Sequence, residues 1–237
     1  MSAGSLAKKS STAAPTSCTA VCSISALPSA VRDFSARHPE VSLRLMQGTP
    51  KQVAEMLLAD EADLGVATEA LADYPELLAL PCYPWTHVVV VPAGHVLAQE
   101  AAQGSRLTLA RLAQCPIITY EPGYTGRSHI DEAFARQGLA FNLVLSAMDA
   151  DVIKTYVELG MGVGIIAAIA HDEARDSGLV ALDARHLFAA NMTRLAMRRG
   201  AWLRGYVYDF IHTFASPLTP ELVKRAMAAE AAENPGL

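Results

Sequence analysis

The sequence lacks the features of a membrane protein, a disulfide-rich protein and a nucleic-acid-binding protein. No uninterrupted apolar run approaches the ~20 residues that span a bilayer. Four cysteines occur among 237 residues, and Cys18 and Cys22 do not have the spacing of a zinc or redox motif. The formal net charge of −5 offers no excess of basic residues for phosphate contacts. We therefore predict a cytoplasmic protein with reduced thiols and no membrane or general nucleic-acid partner.

Motifs for the common catalytic mechanisms are also missing. The chain has no G-x-S-x-G nucleophile elbow and no H-E-x-x-H metal motif, and its histidines are scattered. The run Gly160-Met161-Gly162-Val163-Gly164 is similar to a dinucleotide fingerprint, but it follows a predicted helix and precedes a predicted strand, the reverse of the required order. We interpret it as a turn packed closely against a sheet. The sequence implies no enzyme, metal or cofactor.

Apolar residues make up 51% of the chain, which is enough for a large core in one domain or in two of about 100 residues. Residues 1–18 are rich in serine and alanine and are predicted to be disordered. They lack the continuous apolar segment of a signal peptide.

Predicted strands and helices alternate along the rest of the chain, which favours an α/β fold with mostly parallel sheets. A loop is predicted over 93–105, and helices are predicted to end the chain over 201–214 and 218–232. The predicted strands span 19–24, 41–46, 64–67, 77–83, 87–91, 117–120, 143–147, 162–167, 179–182 and 193–198. The predicted internal helices span 26–37, 107–114, 126–137 and 152–159, and a further one begins at Pro50 and includes 53–57.

The stretch 47–70 contains the first candidate ligand site. Thr49 is a favoured N-cap and Pro50 suits the first helical position, while the apolar run 64–67 is typical of a buried parallel strand. Thr68 follows that strand directly. Open α/β sheets bind small ligands at strand ends, and helix N-termini favour anions. The alternative is that Thr49 only caps its helix and Thr68 only ends its strand.

Six segments together resemble the effector-binding domain of LysR-family transcriptional regulators, and the CysB-like branch in particular. The similarity runs in order from about Ala26 to Thr219. The segments are QGTPKQVAEML, ADLGVATEAL, LPCYPWTHVVVVPAGHVLA, ITYEPGYTGRSHIDEAF, DADVIKTYVELGMGVGIIA and RRGAWLRGYVYDFIHTFA.

The resemblance implies two Rossmann-like lobes in the manner of type 2 periplasmic binding proteins, with mixed, mostly parallel sheets. Lobe I is expected to comprise 19–86 plus 191–216, because the chain of the family returns to its first lobe. Lobe II is expected to comprise 87–190, and 217–237 would form a C-terminal helix and tail.

The resemblance also implies an effector pocket between the lobes. Ligand-binding roles carried over from the family fall on Thr19, Gly48, Thr49, Thr68, Thr125 and Trp85. Hydroxyls near strand ends and helix starts can hold a small anion without a charged partner. One departure concerns Cys22, a poor donor, which stands where the family has a glutamine.

The implied function is sensing of a small anion or acylated amino acid, of the sulfate, thiosulfate and O- or N-acetylserine class. The family dimerises through first-lobe and second-lobe helices, here 26–37 and 126–137, and reads DNA through a separate winged helix-turn-helix that this chain is expected to lack. A basic set with Trp202 nearby is interpreted instead as a solvated face with local acidic partners: Arg194, Arg198, Arg199 and Arg204.

Two alternatives use the same scaffold. A free-standing solute-binding protein would need export, and the sequence offers no signal peptide for it. An enzyme, for example one resembling porphobilinogen deaminase, would need a nucleophile or an acid–base pair, and no motif nominates one.

Overall fold

The computed structural model describes residues 17–22, 28–124 and 126–233, with side chains over 29–124 and 126–229. Disorder is expected over 1–18; residues 1–16 lie outside the described residues, whereas Ser17 and Cys18 belong to a strand and are not disordered. The strands are β1 (Ser17–Cys22), β2 (Ser42–Gln47), β3 (Leu64–Ala67), β4 (Leu77–Trp85), β5 (His87–Pro92), β6 (Pro116–Tyr120), β7 (Asn142–Ala147), β8 (Val163–Ala167), β9 (Leu179–Asp183) and β10 (Asn191–Arg198).

The α-helices lie between these strands and after the last of them. They are α1 (Pro28–Arg37), α2 (Pro50–Leu58), α3 (Val96–Ala102), α4 (Leu109–Leu112), α5 (Arg127–Arg136), α6 (Ala150–Glu158), α7 (Gly205–Phe214) and α8 (Pro220–Glu233). Two short 3-10 helices are present: Glu69–Asp73 follows β3 after Thr68, and Ala168–Ala170 follows β8 directly. No helix in the described part of the chain is long and apolar enough to cross a membrane.

The first sheet has the order β2-β1-β3-β10-β4. Strand β1 runs parallel to β2 and β3, whereas β10 is antiparallel to both β3 and β4. A strand from the end of the chain therefore lies inside a sheet built from the beginning of the chain. This placement sets Arg194 opposite Ala67, one residue before Thr68.

The second sheet has the order β7-β6-β8-β5-β9. Strand β6 is parallel to β7 and β8, and β5 is antiparallel to β8 and β9. The chain passes between the sheets twice, from β4 to β5 through Thr86 and from β9 to β10. We call each sheet with its packed helices a lobe.

Helices cover both faces of each sheet, so each lobe has its own core. In the first lobe, Phe34 of α1 and Phe210 of α7 pack edge to face with ring centroids 5.3 Å apart, while α2 covers the other face. In the second lobe, Phe134 of α5 and Ile153 of α6 are buried in clusters on opposite faces. The alternating pattern of the sequence therefore gives two doubly wound lobes.

The expected loop over 93–105 is wrong, because α3 occupies its centre. The Nδ1 atom of His95 accepts a hydrogen bond from the N–H of Leu97 at 3.2 Å and thereby caps the helix. Histidine is not one of the favoured N-cap residues, so the usual start signal was missing.

Several boundaries differ from the expected ones by two residues or more, and two of them have a clear local reason. Strand β1 begins at Ser17, two residues before the expected start, because Ser17 and Cys18 pair with Ser42 and Leu43 of β2. Helix α7 begins at Gly205 and not at Ala201, because Gly200 has a left-handed backbone (φ +70°) and Arg204 is the N-cap residue in extended conformation.

The glycine run 160–164 packs against the second sheet, as its reversed context indicated. A Cβ on Gly162 would lie 2.6 Å from the backbone oxygen of Pro116, and one on Gly164 would lie 2.6 Å from Cγ2 of Val90. These positions have room only for hydrogen, so the run serves close strand packing.

Candidate functional site

A cavity of about 650 Å³ lies between the two lobes. The first lobe contributes most of its wall, and the second lobe contributes the turn before α5 and the first residues of that helix. The lining residues are Pro50, Lys51, Thr68, Glu69, Ala70, Ala72, Asp73, Tyr74 and Arg194 from the first lobe, and Gly123, Tyr124, Gly126 and Ser128 from the second. The wall therefore combines hydroxyl groups with charges of both signs.

Thr68 lies at the end of β3 in this wall. Its backbone is extended (φ −79°, ψ −174°), only 6% of the residue is exposed, and its hydroxyl makes no capping hydrogen bond to the 3-10 helix that follows. The hydroxyl is therefore not occupied by helix capping, and it can donate to a ligand oxygen.

Thr49, in contrast, is engaged in a capping box at the start of α2. Its hydroxyl accepts from the N–H of Gln52 at 3.2 Å, and its own N–H donates to Oε1 of Gln52 at 2.8 Å. Gly48 is buried beside Gln52. These two residues do not line the cavity, although Pro50 and Lys51 of the same helix do.

The other three residues predicted to bind the ligand are Trp85, Thr19 and Thr125. Trp85 ends β4 and is buried, with its ring centroid 5.2 Å from that of His87, and it does not line the cavity. Thr19 lies in β1, but its side chain is outside the described residues, as is Thr125 entirely. Whether Thr19 and Thr125 bind a ligand therefore stays a prediction.

Glu69 joins the two lobes at the edge of the cavity. Its Oε1 atom lies 3.2 Å from Nε2 of His129 in α5, and its Oε2 accepts from the N–H of Met192 in β10 at 3.1 Å. Asp131, on the same helix, faces away from this contact and pairs with Arg127 at 2.8 Å. One carboxylate therefore connects β10 of the first lobe with the first turn of α5.

The four arginines interpreted as a solvated face occupy different environments. Arg198 has the expected acidic partner, with its Nε 2.7 Å from Oδ1 of Asp60, and Arg199 donates to the backbone oxygen of Pro75. Arg194 contradicts the interpretation, because it is half-buried and lines the cavity. Its Nη1 donates to the backbone oxygen of Ala79 at 3.0 Å.

The thiol of Cys82 is not activated for nucleophilic attack. Burial raises the pKa of the Cys82 thiol to about 12, and neither the hydrogen bond with the Leu195 backbone nor the nearby charge of Arg194 offsets it. This thiol is therefore protonated at neutral pH and is a poor nucleophile. No group of three His, Cys, Asp or Glu side chains that could hold a metal occurs in this part of the chain.

Comparison with known proteins agrees with the two-lobed fold. The family model of the LysR substrate binding domain matches residues 17–218. The chain is 54% identical over 193 residues to the HTH-type transcriptional regulator SsuR of Burkholderia cenocepacia, covering 81% of this chain and 61% of SsuR. It is 49% identical over 205 residues to the regulator CysB of the same organism, covering 86% of this chain and 64% of CysB.

The crystal structure of the cofactor-binding domain of the Cbl transcriptional regulator has the same fold, with a TM-score of 0.82 and 41% identity. The match covers 95% of this chain and 98% of the Cbl domain.

The chain belongs to the LysR substrate-binding-domain family, which has the type 2 periplasmic-binding-protein-like fold. Within that family its homologues are regulators of the CysB, Cbl and SsuR kind. The chain spans about three-fifths of the length of these curated relatives. These relatives are named as transcriptional regulators.

Proposed function

We propose that this chain senses a small anionic effector, of the class that includes sulfate, thiosulfate and O- or N-acetylserine, in the cleft between its lobes. The observation that carries the proposal is the hydroxyl of Thr68, which lies at a strand end in the cavity wall without a capping role. The relatives named as CysB, Cbl and SsuR regulators support a regulatory role over the free-standing solute-binding alternative. Binding in such a cleft is reversible and requires no covalent step.

We also propose that this chain is the ligand-sensing domain of a longer, DNA-binding regulator. DNA contact would be made by a winged helix-turn-helix, since relatives such as SsuR and CysB are named HTH-type regulators and the matched region covers only part of them. The remaining expectations, a cytoplasmic location and no catalytic activity, follow from the same role.

The effector proposal is tested by a thermal-shift titration of the full chain with thiosulfate, O-acetylserine and N-acetylserine. A ligand at 100 times its Kd raises the free energy of unfolding by about 2.7 kcal/mol, which raises Tm. Thr68→Val should weaken the saturable response by about tenfold, because one hydrogen bond to an anion is lost. Thr155→Val is the matched control, since its hydroxyl donates to the backbone oxygen of Asp151 on the exposed side of α6.

Sulfate is titrated with the wild type and with Thr68→Val as well, because it also acts as an excluded salt. Excluded salts raise Tm without binding a site, and that effect is neither saturable nor sensitive to Thr68. The proposal fails if none of these ligands gives a saturable shift with the wild-type chain.

We further propose that the domain dimerises through α1 and α5, together with the edge strands that follow them. The apolar faces of both helices are already buried inside their own lobes, through Phe34 and Phe134. The strands after them, β2 and β7, are edge strands that expose apolar side chains: Leu45, Met46, Leu143 and Val144. Such exposed strands are ready surfaces for another chain.

This arrangement predicts a specific effect on oligomeric state. Leu45→Glu combined with Val144→Glu should weaken dimerisation by about tenfold or more, since two apolar contacts become charged. Val96→Glu on α3 is the control, because Val96 is similarly exposed but distant from both strands in sequence. Light scattering across a concentration series measures the effect, and equal dimer fractions for the double variant and the control would exclude this interface.

A further inference from the structure

Arg194 in the cavity wall forms no ion pair with a described carboxylate, although Glu69 and Asp73 line the same cavity. The other arginines and lysines in comparable positions have carboxylate partners: Arg127 with Asp131, Arg198 with Asp60, and Lys154 with Asp176. Arg194 has no carboxylate partner among the described residues, and its buried Nε atom has no hydrogen-bond partner there. A half-buried charge without a carboxylate partner is unfavourable, and an anion bound in the cavity would offset that cost.

The strand geometry explains why Arg194 reaches this position. The ladder between β10 and β4 is irregular here, because Thr193 is opposite Tyr83 whereas Arg194 is opposite Pro81, so that Cys82 is the extra residue. Bulges of this kind redirect neighbouring side chains and recur beside functional sites. The bond from Nη1 to the Ala79 oxygen then fixes one arm of the guanidinium, so little conformational entropy remains to be lost on binding.

The placement of Arg194 next to Thr68 indicates which chemical group of a ligand Arg194 would bind. Arg194 pairs with Ala67 across the sheet, so it and Thr68 belong to adjacent positions on neighbouring strands and line the same cavity. A guanidinium fork can donate two parallel hydrogen bonds to a group with two oxygens, and a hydroxyl can donate a third. Tetrahedral oxyanions, sulfonates and carboxylates offer such oxygens.

Lys51 is the other cation in the wall and is a weaker candidate. Its side chain is 77% exposed and lies 3.8 Å from Glu55 on the same helix. Charges so exposed are screened by water and contribute little.

We propose that Arg194 binds the anionic group of the effector directly and makes the cleft selective for oxyanions over neutral ligands of the same shape. This inference rests on the proposed function, since it concerns the same cleft. It differs from the sequence-based expectation, which assigned the ligand to uncharged donors alone.

Calorimetric titration of the full chain separates this proposal from a merely structural role. The probes are thiosulfate and sulfate as anions, and dimethyl sulfone as a neutral ligand with similar oxygens. Arg194→Met should weaken anion binding by about 10- to 100-fold while leaving the weak affinity for the neutral probe unchanged. Arg194→Lys should retain part of the anion affinity, because it keeps the charge but loses the fork.

Arg198→Met is the matched control, since Arg198 is on the same strand but pairs with Asp60 outside the cavity. It should bind both anions as the wild type does. If Arg194→Met does not fold, Arg194→Lys compared with the wild type still measures the selectivity for anions over the neutral probe.

The other possible results of these titrations distinguish the role of Arg194 from the proposed function. If Arg194→Met binds anions like the wild type while Thr68→Val does not, the role of Arg194 is overturned and the proposed function stands. If Arg194→Met loses anionic and neutral probes equally, Arg194 only supports the cavity and the inference is also overturned. If the wild type binds neither anion nor any acylated serine, the proposed function itself fails.

Discussion

Replacing Lys154 with methionine is expected to lower the free energy of unfolding by about 3–5 kcal/mol, the usual cost of removing one partner of a buried ion pair. The Nζ atom of Lys154 lies 3.0 Å from both carboxylate oxygens of Asp176, and each of the two side chains is only 10% exposed. The ammonium also donates to the backbone oxygen of Ala170 at 2.9 Å. Methionine fills a similar volume but leaves the Asp176 carboxylate without its cation.

Urea unfolding of the purified chain measures this loss. Lys51→Met is the matched control, because Lys51 is exposed and forms only a long contact with Glu55, so its replacement should change stability by less than about 0.5 kcal/mol. Equal midpoints for the two variants would contradict the assigned role of Lys154.

The same pair predicts how the loss depends on pH. Although burial opposes ionisation, the N–H of Asp172 and the Lys154 ammonium lower the pKa of Asp176 below its usual 3.8. Burial likewise disfavours the charged Lys154, but hydrogen bonds from its ammonium to Asp151 and Asp176 raise its pKa above 10.5.

A lowered carboxylate pKa stabilises the fold above pH 3.8 and loses that contribution as pH falls through the folded value. A raised lysine pKa contributes fully below pH 10.5 and loses that contribution as pH rises through the folded value. The difference between the wild type and Lys154→Met should therefore be constant near neutral pH and shrink at both extremes.

Replacing Gly162 with alanine is expected to destabilise the second lobe by about 1–3 kcal/mol, the typical cost of overpacking. The added Cβ would lie 2.6 Å from the backbone oxygen of Pro116 and 3.3 Å from Cγ1 of Ile118, so β6 would have to move away from β8. A backbone atom cannot rotate aside as the end of a side chain can, and this makes the clash costly.

Gly94→Ala is the control, because a Cβ there meets no atom within 4 Å and its φ is not in the left-handed region. Thermal or urea unfolding should place this control within about 0.5 kcal/mol of the wild type. If Gly162→Ala is as stable as Gly94→Ala, the glycine run is not required for strand packing.

Local patterns in the sequence predicted the elements of the first lobe well. Strand β3 has the expected bounds, and α2 begins at Pro50 behind the Thr49 cap, because apolar runs and capping signals act over a few residues. The reversed context of the glycine run also indicated its packing role correctly. The helix α3 was missed because its cap is His95.

The sequence by itself determined the order of the strands and of the helices other than α3, because these depend on local periodicity, and an ordered set of motifs indicated the two-lobed fold and the family. Only the tertiary structure decided that Arg194 lines the cavity with Thr68, that Thr49 does not, and that Glu69 joins β10 to α5. Glu69 and Met192 are separated by 123 positions in the chain. Contacts at such a distance depend on how β10 returns to the first sheet, and no local pattern records that return.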